Sequence, residues 1–157
     1  MVRKSSFMAG LAIAALAFAF GSAASVHAQD SMKNSMKEGS KAKIVETGAF
    51  HGKVHSTSGR ATIYQESDGK LFLRLTNFKT SNGPDVHVIL IAEKDADDDA
   101  NFLKNNTERV ELGKLKGNEG DQNYDIPAGT DLDKFQTVSV YCERFNANFG
   151  AAPLEKF

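Results

Sequence analysis

Three observations predict an all-β fold, a single antiparallel sandwich or barrel-like domain of about eight strands preceded by a signal peptide and a flexible leader. From Gly48 onward the chain runs in short apolar stretches of period two, which places alternate side chains on opposite faces of an extended strand. Gly, Asn, Asp or Pro interrupts these stretches roughly every 8 to 12 residues, the spacing of an all-β domain. Helical character is confined to Asp97 to Asn105, DDDANFLKN, and to a single turn at Thr130-Asp131-Leu132-Asp133-Lys134, neither long enough to move the fold class.

Strands are expected near 48–55, 59–65, 70–77, 85–92, 108–115, 121–126, 136–142 and 145–149. The best-marked hairpin is RATIYQ, then Glu66-Ser67-Asp68-Gly69, then KLFLRLTN, with Leu71, Leu73 and Leu75 on one face and Arg74 and Thr76 on the other. In DVHVILIA, Val86, Val88 and Leu90 face one way and Ile89 and Ile91 the other, the pattern of a central strand covered on both sides. About eight strands in this length favour a sandwich or a closed barrel over an open sheet.

Ahead of this domain, Arg3 and Lys4 precede an apolar run from Phe7 to Phe20, and small residues follow. That is the pattern of a secretory signal peptide over residues 1–28, with cleavage expected after Val26-His27-Ala28 or, nearby, at Ala23 or Ala24. The apolar run falls short of the ~20 residues that span a bilayer, so no stable membrane insertion is expected after cleavage; an uncleaved anchor is the alternative. No cysteine directly follows the cut, which argues against a lipoprotein. Residues 29–46, QDSMKNSMKEGSKAKIVE, read as a flexible polar leader, and 47–157 as the β domain. The expected localisation is secreted or periplasmic.

Without residues 1–28 the chain loses Arg3 and Lys4, leaving 19 − 2 = 17 basic against 20 acidic side chains. With neither sign dominant and no basic stripe, nucleic acid and anionic lipid are poor candidate partners. The single cysteine cannot form an internal disulfide, so stability must come from burial in a compartment where disulfides form.

Several chemistries lose support by absence. There is no Gly-rich phosphate loop, no Gly-x-Ser-x-Gly elbow, no Cys-x-x-Cys and no Cys-x-x-Cys-His. Asp95-x-Asp97-x-Asp99 resembles the opening of a calcium loop, but Ala100 stands where the turn glycine belongs and Asn106 where a bidentate Glu is needed. Met32 and Met36 are read as part of the leader rather than as a soft-metal pair. His51 and His55, if on one strand, stand about 13 Å apart and cannot share a metal. Cys142 is followed by neither the His nor the Met of a blue-copper loop. No metal site is predicted; a site joining His87 and Cys142 would require the fold to unite distant strands.

Cys142 therefore carries the chemical interest. Val138, Val140 and Cys142 share one face of their strand while Thr137, Ser139 and Tyr141 take the other, so the thiol points with the apolar side chains. Burial would make it an inert small hydrophobe. Against this, Arg144 lies two positions on, and a continuing strand would set its cation on the same face and favour thiolate. Three roles stay open: inert burial, redox activity or ligation of a prosthetic group, and an intermolecular disulfide.

An ordered set of motifs then points to a family. Gly48-Ala49-Phe50, His55 with Ser58-Gly59, Leu73 through Asn77-Phe78, GPDVHV from Gly83, LGKLKGN from Leu112, GDQNYDIP from Gly120, VSVYCERF from Val138 and FGAAPL from Phe149 together resemble the DM-thirteen domain, also called the electron-transfer DM-thirteen domain. The likeness extends over nearly all of residues 47–155. It implies a β-rich extracytoplasmic module with a characteristic cysteine, matched here by Cys142. In that family a part in electron transfer or oxidative hydroxylation is proposed from the cysteine and from neighbouring DOMON and cytochrome-type domains. This chain shows a single module and no visible haem or quinone partner. Its redox partner or envelope component, and any cofactor, are unknown at this level. Two functions follow: a redox or electron-transfer role centred on Cys142, tuned or ligated by His87, His55 or Arg144; or a non-catalytic envelope module with Cys142 in its core. Lys79 to Asp85 and Lys116 to Asp125 would supply the ligand loops of the latter.

Overall fold

The computed structural model describes residues 42–96 and 107–157. Among them there is no helix, and ten strands form two antiparallel five-stranded sheets rather than a closed barrel. In chain order the strands are β1 (Lys43–Ala49), β2 (His51–Gly52), β3 (Ser58–Gln65), β4 (Leu71–Lys79), β5 (Val86–Ile91), β6 (Arg109–Lys114), β7 (Gln122–Ile126), β8 (Thr137–Cys142), β9 (Ala147–Pro153) and β10 (Glu155–Lys156). One sheet has the order β10-β1-β3-β4-β7 and the other β2-β9-β8-β5-β6. The expected helical segment Asp97 to Asn105 lies outside the described residues. The expected second turn forms at Asp131, whose carbonyl accepts from the amides of Lys134 (3.2 Å) and Phe135 (3.0 Å).

Strand alternation sorts the side chains as the pattern requires. In the first sheet Ala61 pairs with Leu75, Ile63 with Leu73, and Leu73 with Tyr124, all facing inward. In the second sheet Val86, Val88 and Leu90 of β5 pair with Cys142, Val140 and Val138 of β8. These inner faces meet in one core with Phe50, Phe78, Phe135 and Phe149. Burial at about 25 cal/mol per Å² of apolar surface makes this contact the main source of stability in a domain without crosslinks. On the far side of the second sheet Ile89, Ile91, Ala96, Tyr141 and Ala151 form a smaller cluster. β5 is thus covered on both faces as its sequence predicts, while β8, buried at every residue, occupies the centre of the sheet.

The first predicted strand is corrected. Residues 48–55 are not one strand, because the chain leaves the first sheet at Ala49, turns at Phe50 and joins the second as β2. Phe50 anchors the switch: its ring meets Phe78 edge-on at 5.2 Å, and its amide donates to the Gly59 carbonyl at 2.9 Å. β1 also begins at Lys43, four residues before the expected start of the domain, because Lys43 and Ile44 find partners in Gln65 and Tyr64. β9 runs through Pro153, four residues beyond the strand expected at 145–149.

Among the described residues one inward-facing position is acidic. Glu46 pairs with Ile63, is 4 % exposed, and its Oε2 has no hydrogen-bond partner. Burial raises its pKa above 4.5; Lys156 pulls it down and Asp133 pushes it up. A carboxyl whose folded pKa is raised contributes stability that is complete below its unfolded value and lost as pH rises through the folded one. We expect Glu46→Gln to gain about 1 kcal/mol over the parent between pH 4 and pH 7, measured by urea titration at each pH. An unchanged pH dependence would show that Glu46 stays solvated.

Candidate functional site

Cys142 is the last residue of β8, flanked by Val86 of β5 and Ala147 of β9. It has 0 % exposure and belongs to the main core cluster, on the face predicted from Val138 and Val140. Beyond it the chain turns at once. Glu143 donates its amide to the Asp85 carbonyl at 3.0 Å, and the Asn146 amide reaches the Glu143 carbonyl at 3.3 Å. Asn146 takes the left-handed conformation at φ 49°, which asparagine tolerates better than most residues. Arg144 therefore stands exposed in a four-residue turn, so the continuing strand that would set it on the same face as Cys142 does not form.

Phe149 belongs to the same core cluster as the thiol. The register of β8 and β9 shifts between Val140 and Tyr141, leaving Phe149 as the extra residue opposite that step. Its ring is 1 % exposed and packs on the ring of His55, centroids 4.0 Å apart. On the other side the backbone of Gly83 comes so close that a Cβ there would lie 2.5 Å from Val86 Cγ2 and 2.9 Å from Phe149 Cζ. Gly83 is thus required by close approach, a role its place in GPDVHV did not reveal. Thr57 completes the arrangement: its Oγ1 lies 2.8 Å from Thr80 Oγ1 and donates to the Phe149 carbonyl at 2.9 Å.

The histidines separate. His55 touches the core that contains Cys142 through Phe149. His51 sits in β2 with Nε2 2.9 Å from Asp95 Oδ1, and a bend over 53–55 removes His55 from that strand, so the two never share a strand face. His87 pairs with Tyr141, which faces the smaller cluster, and so lies on the opposite face of the sheet from Cys142. The structure does not bring His87 and Cys142 together. Among the described residues no group of three or more His, Cys, Asp or Glu side chains is placed to hold a metal ion.

His87 instead has its own network. Its Nδ1 lies 2.7 Å from Glu111 Oε1 and its Nε2 3.2 Å from Asp85 Oδ1, while Lys114 Nζ reaches Asp85 at 2.8 Å. A ring with a carboxylate on each nitrogen satisfies both only as the imidazolium. Burial lowers its pKa, but the hydrogen bonds and charges of Glu111 and Asp85 outweigh this and hold it above 6.5. Asp85, two residues before His87, is readable from alternation; Glu111, on another strand, is not. The two expected ligand loops clasp each other, with the Thr80 amide donating to the Asn118 carbonyl and the Gly120 amide to the Phe78 carbonyl, each at 2.8 Å.

Because the folded pKa of His87 is raised, its contribution is complete below the unfolded value and fades as pH rises through the folded one. Both carboxylates are partly exposed, which weakens the pairs. We expect His87→Ala to destabilise by about 1 kcal/mol at pH 6 and by less at pH 9, read from denaturant midpoints. An equal loss at both values would assign the effect to packing.

Comparison with known proteins gives one match. A family model described as Electron transfer DM13 covers residues 49–154. No curated protein and no solved structure matches the chain.

Proposed function

The chain belongs to the Electron transfer DM13 family, and from that premise we propose that it is an exported redox or electron-transfer module whose functional group is the Cys142 thiol. The observation that carries this reading is the position of that thiol. The only cysteine of the chain is wholly buried, yet lies at the end of the central strand, one residue from a turn whose Arg144 and Phe145 are exposed. Export is supported by Arg3, Lys4 and the apolar run to Phe20. Outside the cytoplasm an exposed unpaired thiol is soon oxidised or capped, and burial protects it.

Opening of the 143–146 turn, without separation of the sheets, uncovers the sulfur; local openings of this kind cost less than global unfolding. The thiol then loses its proton to water, and the thiolate attacks one sulfur of a disulfide on an extracytoplasmic partner. A new S–S bond forms, and the partner's second sulfur leaves as thiolate. Reduction of the mixed disulfide by an external thiol restores Cys142.

Complete burial among apolar side chains also favours a second reading, in which Cys142 only fills the core of an envelope binding or structural module. The two readings separate in a thiol titration of the mature protein, native and in denaturant, with an ultraviolet and visible spectrum of protein purified from its own compartment. Under the redox reading we expect slow reaction in the native state with a mixed disulfide or sulfenic acid trapped at Cys142. A colourless protein whose thiol reacts only when unfolded overturns it. We further expect Cys142→Ser to cost about 1 to 3 kcal/mol under either reading, since the hydroxyl is left in an apolar site; no loss in denaturant stability would contradict the burial itself.

A further inference from the structure

The outer face of the first sheet, turned away from Cys142, carries an open trough of about 610 Å³. Thr47, Thr62 and Thr76 line it, the first two with hydroxyls 3.2 Å apart and Thr47 also donating to the Ala61 carbonyl, while Tyr64 and Phe157 contribute rings and Arg60 the only charged side chain among its lining residues. Alternation explains the set: Thr47 pairs with Thr62 and Arg60 with Thr76, all opposite in orientation to the inward Ala61, Ile63 and Leu75.

Two features mark the trough as built rather than incidental. Its floor is a bulge, where the register of β3 against β4 shifts between Ser58 and Arg60. Gly59 (φ +114°) and Asn77 (φ 50°), which also line it, both adopt left-handed backbone there. A Cβ on Gly59 would lie 2.8 Å from Phe78 Cα, and the Asn77 amide is fixed by Asp121 Oδ1 at 2.8 Å. Glycine takes positive φ at no steric cost and asparagine tolerates it, so these two residues let the strands bend sharply at the bulge. The second feature is the state of the charge. Arg74 is paired with Asp121 and Arg109 with Glu143, whereas among the described residues Arg60 has no carboxylate partner and its guanidinium donates to the Thr47 hydroxyl at 3.4 Å. Asp121, beside Asn77, is already engaged by Arg74 and by the Asn77 amide, and Glu155 stands opposite Thr47 at the edge strand.

We propose that this trough binds a hydroxylated carboxylate of the uronic-acid type, a single sugar acid or one unit of an acidic polysaccharide. A guanidinium takes a carboxylate in a two-point contact. Threonine hydroxyls both donate and accept, as ring hydroxyls require, and Tyr64 and Phe157 offer apolar faces to a sugar ring. The open shape suits a unit within a chain.

The test uses the mature full chain and three probes: galacturonate, a galacturonate tetrasaccharide, and the matching neutral galactose tetrasaccharide, with inorganic phosphate as a fourth arm. Binding is read from amide shifts in nuclear magnetic resonance and from tyrosine emission, which no tryptophan obscures. We expect the acidic tetrasaccharide to shift Thr47, Thr62 and Asn77, with the neutral one at least about tenfold weaker. Binding of galacturonate alone with equal strength assigns the site to the free sugar acid, within the same chemistry. Arg60→Gln should abolish the preference for the acidic probe, and Arg60→Lys, which keeps the charge but loses the fork, should retain part of it. Arg60 is exposed, so both variants are expected to fold, as circular dichroism would show. Equal binding of neutral and acidic sugars, equal shifts with phosphate, or no shift in the trough at millimolar probe would each overturn the assignment.

Discussion

Everything in this domain depends on the burial of one inner sheet face against the other. With no crosslink available among the described residues, that contact must hold the two sheets in register. It does so through strands whose side chains alternate between bulges, so a slip of one residue in the pairing of β5 with β8 would turn Val138, Val140 and Cys142 outward together. Cys142 is buried because its strand is in register.

The same constraint keeps the candidate chemistries apart. Alternation sends Cys142 into the core and His87 to the far side of the sheet, where Asp85 and Glu111 claim both of its nitrogens. Thr47, Thr62 and Arg60 are sent to the outer face of the other sheet. A change at one of these sites therefore has little direct route to another. The exception is the end of β8, where Gly83, Val86 and Phe149 meet beside the thiol, and where the Asp85 carbonyl that receives the Glu143 amide belongs to the residue that also holds His87.

Local pattern was enough to read the hairpin of β3 and β4, the two covered faces of β5 and the inward thiol, because each depends on the period of two within one strand. It failed where the deciding partner is distant. Phe50 ends β1 only because Phe78 and Gly59 receive it, so 48–55 looked continuous. Lys43 and Ile44 looked like leader until Gln65 and Tyr64 offered them a ladder. The turn after Cys142 carries neither Gly nor Pro, and its strand ends at Cys142 as the alternation expects; which way Arg144 points beyond it depends on the turn itself, where Asn146 is the only local signal. The trough has no motif at all, since its lining comes from β1, β3, β4 and Phe157.

The crossing at Phe50 has a counterpart at the other end of the chain, where β9 lies in the second sheet and β10 in the first. Glu46 faces Lys156 and Thr47 faces Glu155 in one sheet; His51 faces Ala151 and Gly52 faces Gly150 in the other. The entering and leaving segments thus form one antiparallel ribbon that laps across both sheets, and the Phe157 amide donates to the Val45 carbonyl at 3.0 Å. Entry and exit lie side by side. A fold arranged in this way can be spliced as a cassette into a surface loop of another protein, or circularly permuted through a short linker, with little disturbance of its interior.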